Sequence, residues 1–186
     1  VPGGGAGSIH ITDVLTNKTA SPITATYVIT PTSGSGCPGV PQTVIITINP
    51  EPIIAATLDK VVCSDAVTGL TLSTAGGSVA AATYNVTART IGGGLTAAGG
   101  NAFVPATGVA SGYLTNDVFT NLSSNPLTVL YTVEGVSTLG CVGAPQLITI
   151  TINPEPVVAN GLNNAVCSDQ IINLTLNTNG TSVTAN

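Results

Sequence analysis

The sequence repeats itself at an offset of 104 residues. The stretch from Cys37 to Asp65 returns between Cys141 and Asp169, with its cysteines and most of its prolines in the same relative places. A copy of about 100 residues is long enough to bury a hydrophobic core of its own. The period therefore predicts a tandem array of domains that share one fold.

Two Asn-Pro-Glu-Pro segments mark the candidate boundaries between copies. Two prolines that flank one residue fix φ twice and remove two backbone donors, so the chain stays extended there. We expect residues 51–154 to form a complete copy, residues 1–50 the second half of a copy, and residues 155–186 the first half of the next. The predicted linker residues are Asn49, Pro50, Glu51 and Pro52, with their counterparts Asn153, Pro154, Glu155 and Pro156.

Two interpretations account for the half copies. In the first, the sequence is a window cut from a much longer array. In the second, the C-terminal half of one chain completes the N-terminal half of the next by strand exchange, which gives a head-to-tail fibre. Against the second, no part of either half copy corresponds to residues 83–103.

The residue pattern predicts an all-β fold. Only 6% of residues are charged and 43% are hydrophobic, and the abundant β-branched residues and turn formers disfavour both disorder and helix. Period-two alternation at 127–133 and 148–152 predicts half-buried strands. Further strands are predicted at 53–58, 70–72, 83–90, 102–104 and 113–120, and a long loop at 91–100. About seven strands per copy is the number in an immunoglobulin-like β sandwich, so we expect tandem seven-stranded sandwiches with a period of 104 residues.

The four cysteines recur at repeat positions, which favours disulfides over a metal site. The simplest pairing joins Cys63 to Cys141 within the complete copy and leaves Cys37 and Cys167 to partners outside this sequence. A regular sandwich would place the first turn and the last hairpin at opposite poles, beyond the Cα separation of about 4.4 to 6.8 Å that a disulfide needs. In that case the bond would join the first turn of one copy to the last hairpin of the following copy. Both pairings stay open.

Charge and hydropathy exclude several classes of partner. The net charge is −5 with three basic residues, whereas nucleic acids and anionic membranes require clustered lysine and arginine. No uninterrupted apolar run approaches the roughly 20 residues of a membrane-spanning helix. We therefore expect no nucleic-acid partner and no membrane insertion of this segment.

The acidic residues do not cluster as catalysis would require. A Ser-His-Asp triad would depend on His10, the one histidine in the sequence. We expect no catalytic residue, no cofactor and no enzymatic activity. Calcium is the one ion that we consider, because oxygen ligands between domains suit it, and its weak candidate ligands are Asp65, Asn116 and Asp117, although they form no DxDxDG loop.

Three stretches carry a resemblance to a known family. They read ITATYVITPTSGSGC from Ile23 to Cys37, TVIITINPEP after it, and VVCSD ending at Asp65. They resemble the PKD-like or immunoglobulin-like tandem repeats of giant surface proteins of gliding bacteria (Bacteroidota), except that this chain has Cys-Ser-Asp where the family usually has Cys-Ser-Gly. The resemblance covers nearly the whole chain. It implies export by the type IX secretion system, an extracellular location at the cell surface, and a gliding-motility adhesin or similar filament.

We therefore expect a structural stalk or filament segment of a large extracellular adhesin, which projects or propagates adhesive contacts. Its partners would be neighbouring repeats of the same chain or other copies in a filament. One alternative is that the copies themselves bind surface glycans or a solid surface. Another is an accessory repeat array of a secreted polysaccharide-degrading enzyme.

Overall fold

A computed structural model of the chain describes residues 10–185, so residues 1–9 and 186 of the two predicted half copies lie outside it. Within residues 10–185 the chain forms strands and no helix, which confirms the predicted all-β class. The strands are β1 (Ile23–Ile29), β2 (Gln42–Ile48), β3 (Lys60–Cys63), β4 (Thr83–Ile91), β5 (Leu95–Gly99), β6 (Ala106–Val109), β7 (Val118–Asn121), β8 (Leu127–Val136) and β9 (Gln146–Asn153).

Strands β3 to β9 form one unit, which we call the central unit. Its larger sheet has the order β3-β9-β8-β4-β6, and its smaller sheet pairs β5 with β7. Strand β3 runs parallel to β9, whereas the other pairs are antiparallel. The first strand of the unit therefore lies directly beside its last strand and points in the same direction.

The core of the central unit lies between its two sheets. Every second residue of β8 and β9 points inward and is buried, which confirms the alternation predicted for both strands. Side chains from β4 extend this face within the same sheet, and side chains from β5, β7 and the connecting segments cover it. The fully buried apolar side chains are Leu70, Leu114, Val86, Phe119, Val129, Tyr131, Val133, Ile150 and Ile152.

Several predicted strand positions are wrong. The glycine-rich residues 91–100, predicted as a loop, contain β5, because Leu95 is buried in the core and its strand pairs with β7. Residues 53–58 and 102–104 form no strand; the first contains only an isolated bridge between Ile54 and Thr74. Leu70 and Leu72 are buried without forming a strand, since backbone amides there donate to an irregular segment, such as Leu72 N to Ser111 O at 2.8 Å.

Strands β1 and β2 form a hairpin that reproduces the β8–β9 pairing. Ile23 faces Ile48, and the residues 104 positions later, Leu127 and Ile152, face each other in the same way. The inner face of this N-terminal hairpin is uncovered, however. Ile46 is 45% exposed, whereas its counterpart Ile150 is 0% exposed. The same local sequence therefore gives the same hairpin with or without a core above it.

A buried carboxylate is held by three donors in the core. Asp117 is 1% exposed, and its Oδ2 accepts a hydrogen bond of 2.6 Å from the Tyr131 hydroxyl. Its Oδ1 accepts one of 2.6 Å from the Ala102 amide, and Arg89 Nη1 lies 3.5 Å from Oδ2. Burial raises the pKa of Tyr131 well above its usual value, and the hydrogen bond to Asp117 raises it further. Tyr131 therefore remains a protonated donor, which offsets the cost of burying the carboxylate.

The N-terminal hairpin carries the same pair at its surface. The Tyr27 hydroxyl donates to Asp13 Oδ2 at 2.8 Å, and this contact is exposed. The two pairs differ in their surroundings, so they offer a matched comparison of one interaction inside and outside a core.

We expect Tyr131→Phe to lower the free energy of unfolding of the central unit by about 1.5 to 3 kcal/mol, because a buried carboxylate loses its shortest side-chain donor. Tyr27→Phe is the matched control and should leave the unfolding curve nearly unchanged, since water replaces the lost donor. Urea unfolding followed by circular dichroism measures both. Equal effects of the two substitutions would contradict the assignment of the buried network.

Candidate functional site

The junction between the N-terminal hairpin and the central unit is packed rather than free. Pro50 and Pro52 are both buried. The buried side chain of Asn17 donates from Nδ2 to Ile48 O at 2.8 Å and to Ser21 O at 2.9 Å. The Asn17 carbonyl accepts from the amide of Glu51 at 2.9 Å. One asparagine thus ties the end of β2 and the start of the linker to the hairpin.

On the other side, the linker residue Pro52 packs against two glycines of the central unit, Gly135 and Gly143. A Cβ atom added at Gly143 would lie 1.8 Å from the carbonyl oxygen of Pro52. One added at Gly135 would lie 2.9 Å from Pro52 Cβ. No side chain fits at Gly143 without moving the linker, so the linker packs closely against the surface of the central unit.

The second junction begins in the same way. Asn121 is buried, and its Nδ2 donates to Ile152 O at 2.8 Å and to Asn125 O at 2.9 Å. The Asn121 carbonyl accepts from the Glu155 amide at 3.1 Å. The chain therefore leaves the central unit with the geometry that it has on leaving the N-terminal hairpin.

Sequence reasoning identified the linker prolines but missed the residues that hold them. Asn17 and Asn121 recur at the repeat offset, and that recurrence was the available signal. No sequence pattern predicts that Pro52 packs against Gly143, because the two residues are far apart in the chain.

The cysteines of the central unit lie at opposite ends of β9. Cys63 faces Asn153 at the C-terminal end of that strand, and Cys141 lies before its N-terminal end. Strand β9 has eight residues, and a rise of about 3.3 Å per residue separates these ends by more than about 20 Å. This separation argues against the predicted bond between Cys63 and Cys141 within one unit. All four cysteines, including Cys37 and Cys167, are free thiols in the structure.

The candidate calcium ligands have different surroundings. Asp117 is buried and already accepts from protein donors, whereas its neighbour Asn116 is exposed. Asp65 lies in the turn after β3, with a φ of 61°, and its Oδ1 accepts from the Thr120 hydroxyl. Among residues 10–185, no three His, Cys, Asp or Glu side chains gather where they could hold a metal ion. Calcium binding stays a prediction that gains no support from this arrangement.

A cleft lies on the uncovered face of the N-terminal hairpin. It has a volume of about 480 Å³, and Cys141 of the central unit contributes to its wall. Its other lining residues are Ile11, Asp13, Leu15, Tyr27, Val44, Ile46, Thr47, Ile48 and Asn49. The wall of the cleft therefore consists of the apolar face of the hairpin, the linker residue Asn49 and the thiol of Cys141.

A protein-family model matches much of the chain. The model for a PKD-like domain matches residues 5–52 and 62–156. The chain belongs to the PKD-like domain family. The two matched stretches of this PKD-like chain end at Pro52 and Pro156, the last residues of its two Asn-Pro-Glu-Pro segments. Comparisons with curated proteins and with solved structures gave no match.

The match supports one part of the expected resemblance, namely that the chain contains PKD-like domains. It leaves the surface-protein context of the resemblance as a proposal. Over residues 10–185 the structure has no helix long and apolar enough to cross a membrane.

We expect Gly143→Ala to destabilise the PKD-like chain by about 1 to 3 kcal/mol, because the new Cβ atom would overlap the carbonyl of Pro52. Gly76→Ala is the control: a Cβ atom there meets nothing within 4 Å, and the change should stay within about 0.5 kcal/mol. Thermal unfolding measured by calorimetry compares them. A Gly143→Ala protein as stable as the control would show that the linker is not seated on this glycine.

Proposed function

We propose that this chain is a structural stalk segment of a large extracellular bacterial surface protein, built from tandem seven-stranded PKD-like units of 104 residues. In this proposal residues 51–154 are one complete unit, and the flanking residues 1–50 and 155–186 belong to its neighbours. The protein would be exported by type IX secretion and would project an adhesive end from the cell, in gliding or in attachment. The observation that carries the proposal is the packed junction at Asn49–Pro52.

A stalk maintains distance only if its joints resist bending. The linker here is short, two of its residues are prolines with fixed φ, and both are buried. Asn17 holds the linker on one side and Gly143 admits it on the other. Such a joint favours a fixed relation between neighbouring units over free rotation.

The surface of the described residues favours a passive role over ligand binding. Glycan sites commonly use exposed aromatic rings as apolar platforms, which combine a large contact area with polar edges. In residues 10–185 the large exposed aromatic side chain is Phe103, at 76%, and Tyr131 is fully buried. The net charge of −5 and the lack of clustered cations add no strong electrostatic patch.

The location is tested on intact cells of the organism that makes the protein. Antibodies raised against the purified 186-residue chain should label unpermeabilised cells, and cells that lack the gene should attach less well. Labelling that requires permeabilisation would overturn the proposal. Glycan-array binding by the purified chain would instead favour the alternative of a glycan-binding module, and a catalytic domain in the same gene would favour an accessory array of a polysaccharide-degrading enzyme.

The stiffness of the joint is tested with Asn17→Ala. We expect the N-terminal hairpin and the central unit to tumble together in the native chain and to reorient more independently in the variant. The substitution removes the two side-chain hydrogen bonds that fix Ser21 and Ile48, the residue just before the linker, and leaves only the backbone bond to Glu51. Backbone ¹⁵N relaxation measures this. Thr26→Ala, an exposed change on β1, is the control and should behave as the native chain. Independent tumbling in the native chain would contradict a stiff joint.

A further inference from the structure

We propose that the outer face of the five-stranded sheet binds the same face of a second copy of this chain, so that neighbouring stalks adhere side by side. Only the statement about stalks rests on the proposed function. The contact between two copies is a property of the chain itself and is tested on the purified protein.

The outer face is the side of the five-stranded sheet that points away from the core. The strand register determines which residues share it. Thr132 of β8 faces both Leu147 of β9 and Ala88 of β4, and Thr151 of β9 faces Val61 of β3. On β8 and β9 these residues alternate with the buried ones. The face consists of uncharged residues, which are Val61, Ala88, Thr90, Thr128, Leu130, Thr132, Leu147, Thr149 and Thr151.

This face leaves apolar surface in water. Val61 is 65% exposed and Leu147 is 52% exposed. The threonines around them add methyl groups, and their hydroxyls can both donate and accept hydrogen bonds. A contact between two such faces would remove apolar atoms from water and would desolvate no charge.

The repeat keeps the character of the outer face although its residues differ. Two cross-strand pairs of the central unit each join one apolar residue to one threonine, and so do their counterparts in the N-terminal hairpin, but with the two residue types exchanged between the strands. The pairs Leu130–Thr149 and Thr132–Leu147 correspond to Thr26–Ile45 and Val28–Thr43. A face that only contacts water does not require the composition of each pair to be kept, whereas a face that packs against a partner does.

The outer face lies along the side of the unit. The linker before the central unit packs against Gly135 and Gly143, and the linker after it is held at Glu155 by the Asn121 carbonyl. Units that follow one another in the chain therefore meet at the ends of the sandwich. The side remains available to a separate chain, whatever number of units precedes or follows.

The distribution of charge favours a second copy as the partner. The net charge is −5, so two copies repel each other unless their uncharged surfaces meet. Two acidic side chains lie at the border of the face: Glu134 near the end of β8, and Asp59, whose carboxylate accepts from the Thr149 amide at 2.8 Å. Both can stay in water while the face is covered, as the polar rim of an interface does. A strongly charged partner would find no opposite charge between them.

The size of the face limits the strength of the contact. Four strands at a spacing of about 4.8 Å, with about five residues of about 3.3 Å each, give roughly 250 Å² per copy. Stable interfaces bury about 1,200 to 2,000 Å² in total, so one pair of units associates weakly. In an array, several faces on one stalk can meet several on the next, and their weak contacts add up. Stalks would therefore adhere through many reversible contacts.

The contact is tested with the purified 186-residue chain in a reducing buffer, which keeps its cysteines as thiols. Translational diffusion and ¹⁵N–¹H spectra are measured by NMR from about 10 μM to about 1 mM, the range in which so small an interface should associate. We expect slower diffusion at high concentration, with amide shift changes concentrated on the outer face. Added sodium chloride should strengthen the association, because it screens the repulsion between two acidic chains.

Two substitutions of the same type separate this contact from general aggregation. Leu147→Glu places a charge within the contact on both copies and should weaken association by about tenfold or more. Leu122→Glu is the matched control, because Leu122 is 50% exposed in the turn between β7 and β8, and Lys18 stands at its place in the preceding copy. It adds the same charge and should leave the dissociation constant within about twofold.

A second variant on another strand guards against a local effect at Leu147. Thr90→Glu, on β4, lies on the same face and should weaken association as Leu147→Glu does. All three positions are exposed in the native chain, and thermal unfolding checks that the variants fold.

Diffusion that does not change with concentration would overturn the proposal, and so would shift changes centred elsewhere or equal weakening by Leu147→Glu and Leu122→Glu. Association that salt weakens would indicate a contact between charges and would overturn it as well. These results concern the purified chain, whereas labelling of intact cells tests the stalk function. A failure of the contact and a failure of the function are therefore distinguishable.

Discussion

The structure depends on covering one apolar sheet face. The inward residues of β8 and β9 gain their stabilisation only when the first half of the unit lies over them, because burial removes apolar surface from water at about 25 cal/mol per Å². Ile150 is fully buried and Ile46 is not, although their strands pair in the same register. Pairing within the hairpin is therefore local, whereas the core requires residues from elsewhere in the chain.

The buried carboxylate of Asp117 also depends on residues from elsewhere in the chain. Asp117 receives its hydroxyl donor from Tyr131 on β8, whereas Arg89 comes from β4, which pairs beside β8, and Ala102 from the segment after β5. The Asp13–Tyr27 pair has the local donor alone and lies in water. The Asp117 carboxylate is buried where Arg89 and Ala102, from other parts of the chain, supply donors, so this network forms with the complete unit.

The sequence predicts local features well and long-range features poorly. The alternation of apolar and polar residues predicts β8 and β9, because the polarity of each side chain in these strands matches its burial. The same reasoning fails at Leu70, which is buried although its segment forms no strand. It also fails at β5, where the many glycines of residues 91–100 predict a loop and the chain forms a strand. At the junction, the sequence predicts the proline linker, but it does not predict the contact between Pro52 and Gly143, which depends on packing between distant residues. The position of Cys63 depends likewise on a parallel pairing that no spacing reveals.

The parallel pairing of β3 with β9 determines how the unit would respond to tension. The chain enters the central unit before β3 and leaves it after β9, so a pull on the two ends drives these neighbouring strands in opposite directions along their length. Their hydrogen bonds are then loaded together, in shear, rather than one after another. The same pairing places Cys63 where the chain leaves the unit, while Cys141 lies where it enters, near Asn49 and Ile48.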